Sequence, residues 1–218
     1  MAKSLNNHLL VIKLEGKNEM KQIEITVKLE ENEKNAFSKL EKKGFERIRE
    51  SHIDDIYLTA KLDKLTMENI QYILKKSVLL RKLTINGNEI KKITYKNKEI
   101  DKNGDVLSEQ KINILCDDLN NAEKLFRALD FEELVEVKYH VVVYKKDDIE
   151  FAFQNVENLG ILIEFENTED FEGKTEEEIH KEKIKMHNLM ENYGLKISKD
   201  YDVKKAYELI MLKLKNEE

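Results

Sequence analysis

Across residues 134–144 the side chains alternate in character: Val135, Val137, Tyr139, Val141 and Val143 occupy one face of an extended chain, and Glu136, Lys138, His140 and Tyr144 the other. The same period of two runs through residues 22–29, where Gln22, Glu24, Thr26 and Lys28 alternate with Ile23, Ile25, Val27 and Leu29. Such strands demand a sheet with one apolar and one polar face. Further strand-like runs cover residues 45–51, 53–59, 78–85, 89–96, 111–116, 149–155 and 161–166. The Asn86-Gly87 pair joins two of them as a hairpin.

Helical periodicity is confined to four stretches. Asn32 caps a helix that presents Ala36, Phe37 and Leu40 and stops at Gly44; a shorter helix covers residues 122–129. Thr175 and Glu178 form a capping box for a helix ending near Tyr193-Gly194, and Asp202 is placed to cap a last helix through Leu214. Proline is absent and no linker interrupts the pattern, so residues 1–218 are expected to form a single α+β domain. About nine strands with few helices point to an antiparallel barrel, its apolar surface outside beneath the helices and its interior polar.

Composition narrows the function. Lysine and arginine total 38 against 44 acidic residues, with the two signs interleaved, so no basic face for a nucleic-acid backbone stands out. Cys116 is the single cysteine, which excludes an internal disulfide or a cysteine zinc cluster and suits a buried thiol in a reducing compartment. The apolar patch at residues 9–12 is too short for a membrane span, so a cytoplasmic location away from membranes is expected. His180 and His187 fall on a charged helix and read as surface groups. No Gly-rich phosphate loop or Ser/His/Asp pattern is present.

What remains is charge on strands. Carboxylates suit a divalent metal and ammonium or guanidinium groups suit phosphate oxygens, and both recur here on strands of matching parity. The strand from Gln22 to Lys28 resembles the Glu-x-Glu-x-Lys signature of the CYTH proteins, the triphosphate tunnel metalloenzymes. Leu80-Arg81, Ile93-Thr94-Tyr95-Lys96, Val156-Glu157-Asn158-Leu159-Gly160, Ile163-Glu164-Phe165-Glu166 and Lys205-Ala206-Tyr207-Glu208-Leu209 resemble later family motifs in unbroken order over about residues 22–212.

This resemblance implies an eight-stranded antiparallel tunnel that binds a triphosphate compound with magnesium or manganese. Family members hydrolyse thiamine triphosphate or tripolyphosphate, or cyclise ATP as class IV adenylyl cyclases. By position, Arg81, Lys96, Lys138 and Lys205 would hold phosphate, with Lys28 as a further cation, while Glu24, Glu164 and Glu166 would hold the metal. The chain departs from the pattern at Gln22, Thr26, Leu83 and Gln154, and the 108–111 run does not align with the family's strand. These departures keep three functions open: a metal-dependent triphosphatase or cyclase, a module that binds a phosphorylated ligand without turnover, and an interaction protein whose tunnel is filled. The oligomeric state is open, a dimer among the options, as is the role of residues 1–21.

Overall fold

The computed structural model describes residues 23–61, 65–102, 104–167, 171 and 173–217; Gln22 and the extension before it lie outside the described residues. The strands are β1 (Ile23–Lys28), β2 (Glu46–Ala60), β3 (Lys76–Ile85), β4 (Asn88–Ile100), β5 (Val106–Leu115), β6 (Phe131–Lys146), β7 (Ile149–Val156) and β8 (Gly160–Asn167). The helices are α1 (Glu33–Lys42), α2 (Ile70–Lys75), α3 (Leu119–Ala128), α4 (Glu176–Asn192) and α5 (Lys205–Glu217).

All eight strands join one sheet in the order β1-β8-β7-β6-β2-β3-β4-β5, with every neighbouring pair antiparallel. The sheet curls into a half-barrel, and its edge strands come close enough for Lys111 of β5 to reach Glu24 of β1 at 3.2 Å. The expected runs at 45–51 and 53–59 are one 15-residue strand, β2. Ser51 and Asp55 are buried beside apolar Ile53 and Tyr57, so the inward face of β2 is too mixed to read as a single alternating run. Bulges between Arg47 and Arg49 and between Tyr57 and Leu58 help β2 bend around the curl.

Helices α1 and α4 pack on the outer face. Ile23, Ile25, Val27, Phe151, Phe153, Ile163 and Phe165 meet Ala36 and Leu40 of α1 and Ile179, Met186 and Met190 of α4. Side chains alternate along these strands, so one row of residues fills this core while the intervening row faces the hollow. The expected caps hold: Asn32 accepts from the Lys34 amide, and Thr175 with Glu178 makes a reciprocal box. A smaller outer cluster of Leu58, Leu80 and Ala122 lies under α3.

The concave side is only partly polar. Helix α2, absent from the sequence reading, and α5 pack there, with Ile70, Ile73, Leu74, Ala206 and Ile210 against Tyr57, Leu79, Val137, Tyr139 and Val141. The valine row of β6 therefore faces inward, and α5 is what buries it.

The segment between α4 and α5 closes the seam. It adds to the free edge of β1 through Thr26 N to Tyr201 O (3.0 Å) and Val203 N to Thr26 O (2.9 Å). Asp202 accepts from the Val106 amide of β5 at 2.9 Å and meets Lys204 Nζ at 2.9 Å and the buried Lys183 Nζ at 3.5 Å. Asp202 thus ties two edge strands together instead of capping α5. Cys116, expected to be buried, is half-buried at the end of β5. Among the described residues no helix is long and apolar enough to cross a membrane.

Candidate functional site

The curled sheet and the start of α5 enclose a cavity of about 920 Å³. Because inward positions recur every second residue, each strand contributes a short ladder: Glu24 and Thr26 from β1, Lys92, Thr94, Lys96 and Lys98 from β4, Lys111 and Asn113 from β5, and Glu164 and Glu166 from β8. Lys204 and Lys205 enter from the beginning of α5.

Six of the eight residues singled out in the sequence line this cavity: Glu24, Arg81, Lys96, Glu164, Glu166 and Lys205. The structure does not bring Lys28 or Lys138 to it. Lys28 is exposed at the far end of β1, opposite Leu162. Lys138 points outward from β6 and pairs with Glu136 at 2.9 Å, because the adjacent Val137 and Tyr139 are the residues buried inside. His140 shares the outer face and contacts Glu50 at 2.7 Å.

The cations inside are mostly answered by acids. Lys205 Nζ lies 3.1 Å from Glu164 Oε2 and 2.5 Å from Gln154 Oε1, while Gln154 donates its own amide to Glu164 at 2.9 Å. Burial opposes ionisation of Glu164, but Lys205 and Lys111 outweigh it and hold its carboxyl down at about 2. Lys111 bridges Glu24 (3.2 Å) and Glu109 (3.1 Å).

Glu109, which the sequence did not single out, is the hub of this wall. Its Oε1 lies 3.1 Å from both Lys96 and Lys111, an electrostatic contact with neither ammonium aligned for a hydrogen bond, and its Oε2 lies 3.7 Å from Lys98. Burial raises the Glu109 carboxyl, but these three lysines more than offset that and keep it well below the usual carboxylate range.

Arg81 is held differently from the expectation. Its guanidinium makes a fork of two 2.5 Å bonds to the buried Asp55 carboxylate and a 3.2 Å bond to Tyr139 OH. Burial disfavours its charge, yet Tyr139 and Asp55 hold it well above its usual range. The fork commits two of its nitrogens before any ligand arrives.

Along the β1–β8 pair, Glu24 stands directly opposite Glu166 and Thr26 opposite Glu164. Like charges opposed across strands are unfavourable. Glu166 feels this: removal from bulk water raises it, Lys111 lowers it, and Glu24 and Glu164 raise it again, so its carboxyl is pushed up to about 7.

A second acidic group lies apart from the cavity lining. Among the described residues, Asp101, Asp105 and His180 are the one set of three metal-ligand side chains whose ligand atoms come within 4.8 Å of one another. It joins the β4–β5 connection to α4, with His180 Nε2 3.2 Å from Asp101 Oδ2. This Asp/Asp/His set has the ligand types to coordinate a divalent metal. His187, also read as a surface group, makes a 2.8 Å hydrogen bond with the Ser198 carbonyl.

The fold and site thus define an eight-stranded antiparallel half-barrel whose hollow is lined by paired lysines and glutamates. A Methanocaldococcus jannaschii protein provisionally named an adenylate cyclase is 30% identical over 189 residues, covering 86% of this chain and 97% of that one. Two Pyrococcus horikoshii structures superpose with TM-scores of 0.65 and 0.62 at 22% and 24% identity, covering 88% and 86% of this chain and 99% of each of theirs. A Vibrio parahaemolyticus structure, also provisionally named an adenylate cyclase, gives 0.61 at 15% identity, covering 89% and 99%. No family model matches. The chain belongs to the CYTH, or triphosphate tunnel metalloenzyme, superfamily.

Proposed function

We propose that this protein binds a triphosphate compound in the cavity and hydrolyses it with magnesium or manganese. The observation that carries this reading is the convergence of Lys96, Lys111 and Lys205 with Glu24, Glu164 and Glu166 on one enclosed space. Glu24 and Glu166, opposed across β1 and β8, offer an oxygen-only pair that suits a hard cation, and their opposition is a repulsion that such a cation relieves; Glu164, two positions from Glu166, would join them on leaving Lys205. When bound, the ion polarises the phosphoryl oxygens it contacts. The lysines hold the remaining oxygens, and the cavity walls limit the water that can approach.

Cyclisation of a nucleoside triphosphate, the reading suggested by the names of two relatives, would use the same clamp. A ribose hydroxyl would attack the α-phosphorus and pyrophosphate would leave, whereas hydrolysis delivers a phosphate oxygen from water. Binding without turnover is favoured by one observation, the engagement of Arg81 by Asp55.

The test is release of phosphate, pyrophosphate and cyclic nucleotide from tripolyphosphate, thiamine triphosphate and ATP with magnesium or manganese. Hydrolysis predicts phosphate release that falls about 10²-fold or more in Glu164→Gln. Pyrophosphate with cyclic nucleotide selects the cyclase. Tight binding without product selects the binding module.

A further inference from the structure

Lys92 is the chamber cation that the acids leave out. It is 8% exposed, it lines the cavity, and among the described residues it has no hydrogen-bond or ion-pair partner. Its β3 neighbour in register is Arg81, itself a half-buried cation. Two like charges face each other there, an arrangement that costs stability unless something of opposite sign comes between them. Asp55, the carboxylate next in that row, is already taken by Arg81 and Tyr139. The Asn113 oxygen accepts from Thr94 at 2.8 Å, leaving its amide hydrogens as further donors near Lys92. With Asp55 engaged, no carboxylate among the described residues forms an ion pair with Lys92, and the wall beside it supplies cations and N–H donors.

Position along the strand gives this site its meaning. Lys92 and Lys96 lie four positions apart on β4, about 13 Å between Cα atoms at the usual rise. With both side chains extended across the hollow, a ligand touching both runs along β4. Beyond Lys92, away from Lys96, the lining carries an apolar strip, Leu83 and Ile85 on β3 with Ile53 paired to Leu83 across β2, before it meets Ser51, Arg49 and the Lys145–Glu150 ion pair.

We propose that Lys92 is a second anion anchor, holding the phosphate that carries an organic group, and that this group rests against Ile53, Leu83 and Ile85. The proposal rests on the triphosphate reading above and sharpens it: the ligand is an organic triphosphate, inserted with its terminal phosphates towards Lys96, Lys111 and Lys205. Burial and then the Arg81 charge outweigh the attraction of Asp55 and lower the Lys92 ammonium to about 8, so bound phosphate also secures its proton.

Calorimetric titration of the wild-type chain with pyrophosphate, tripolyphosphate, ATP and thiamine triphosphate tests it, alongside Lys92→Met and Leu83→Asn. At least one organic triphosphate should bind severalfold tighter than tripolyphosphate. Lys92→Met should weaken all triphosphates about tenfold, the loss of one charged contact, and weaken pyrophosphate less than twofold because it stops short of Lys92. Leu83→Asn should erase the advantage of the organic ligand. Lys92→Met should melt at or above the wild-type temperature, since it removes an unanswered buried charge; Lys92→Gln repeats the comparison if the methionine variant does not fold.

Unchanged triphosphate affinity in Lys92→Met, equal loss for pyrophosphate, or tripolyphosphate binding as tightly as every organic ligand would overturn the inference while leaving the triphosphate reading standing. A wild-type chain that binds none of the four ligands overturns both.

Discussion

Glu109 offers the sharpest test of how this chamber is held together, because a single buried carboxylate answers three lysines. In Glu109→Gln, Lys96 and Lys98 lose the acid at 3.1 and 3.7 Å, and Lys111 keeps only Glu24 at 3.2 Å. At an effective dielectric of 20, a pair 3.1 Å apart attracts by about 5 kcal/mol before desolvation is subtracted. Removing one partner of a buried pair costs about 3–5 kcal/mol net, and the lysines can turn towards cavity water, so about 3 kcal/mol is expected here. For a chain of this size that corresponds to a fall in Tm of about 6–12 °C. Thermal denaturation at neutral pH measures it.

Ligand adds an independent signature. The freed lysines are now available to phosphate oxygens, so tripolyphosphate should raise the Tm of Glu109→Gln by more than it raises that of wild type. A variant that melts within about 2 °C of wild type would refute the assignment of Glu109 as the electrostatic hub, given this scale of Tm change. A smaller ligand-induced shift than in wild type would refute the view that Glu109 and phosphate compete for the same cations.

Lys205→Ala should weaken tripolyphosphate binding at least about tenfold, whereas Lys138→Ala, on the outer face, should stay within about twofold, as titration of both variants will show. Manganese or zinc should raise the wild-type Tm through Asp101, Asp105 and His180, and His180→Ala should lose most of that rise; Glu164→Gln run beside it separates this set from the cavity. For Glu166, the folded state holds its proton up to about pH 7 while the unfolded chain releases it near 4.5, so stability falls as pH rises through that window. Glu166 retains solvent contact at the rim, so the change should stay below about 1 kcal/mol; denaturant titrations at pH 5 and 7.5 should differ less in Glu166→Gln than in wild type.

Much of the fold could be read from alternation. The β1 and β8 ladders, the Asn86-Gly87 hairpin, the Asn32 cap of α1 and the capping box of α4 are local features, and each carries its own signal within a few residues. What alternation cannot supply is which face of a strand looks inward. The β6 pattern fits a sheet with its valines either outside or inside, and the choice is made some 70 residues later by α5, whose Ala206 and Ile210 cover Val137 and Val141. Lys138 enters the tunnel set only through its position in the family resemblance, and the structure turns it outward because Val137 and Tyr139 are the residues packed against α5. Glu164 and Glu166 were legible because β8 packs its Ile163 and Phe165 on the outer core.

The unread part of the site shares one physical cause. Glu109, Lys92, Lys98 and Lys111 look in sequence like the charged residues of any solvated strand; what sets Glu109, Lys98 and Lys111 apart is a partner on another strand, and what sets Lys92 apart is the lack of one. Lys111 meets Glu24 across 87 positions, and Asp55 meets Arg81 across 26. Their pairing also changes what a buried charge means. A chamber built only of cations would repel itself and resist folding, whereas acids interleaved with the bases let the empty protein stand. On the proposed reading, metal and triphosphate then divide the set between them: the ion takes the glutamates, and the phosphates take the lysines those glutamates release. Each ligand removes the partner that held back the other, so their binding must be coupled, in equal measure in both directions.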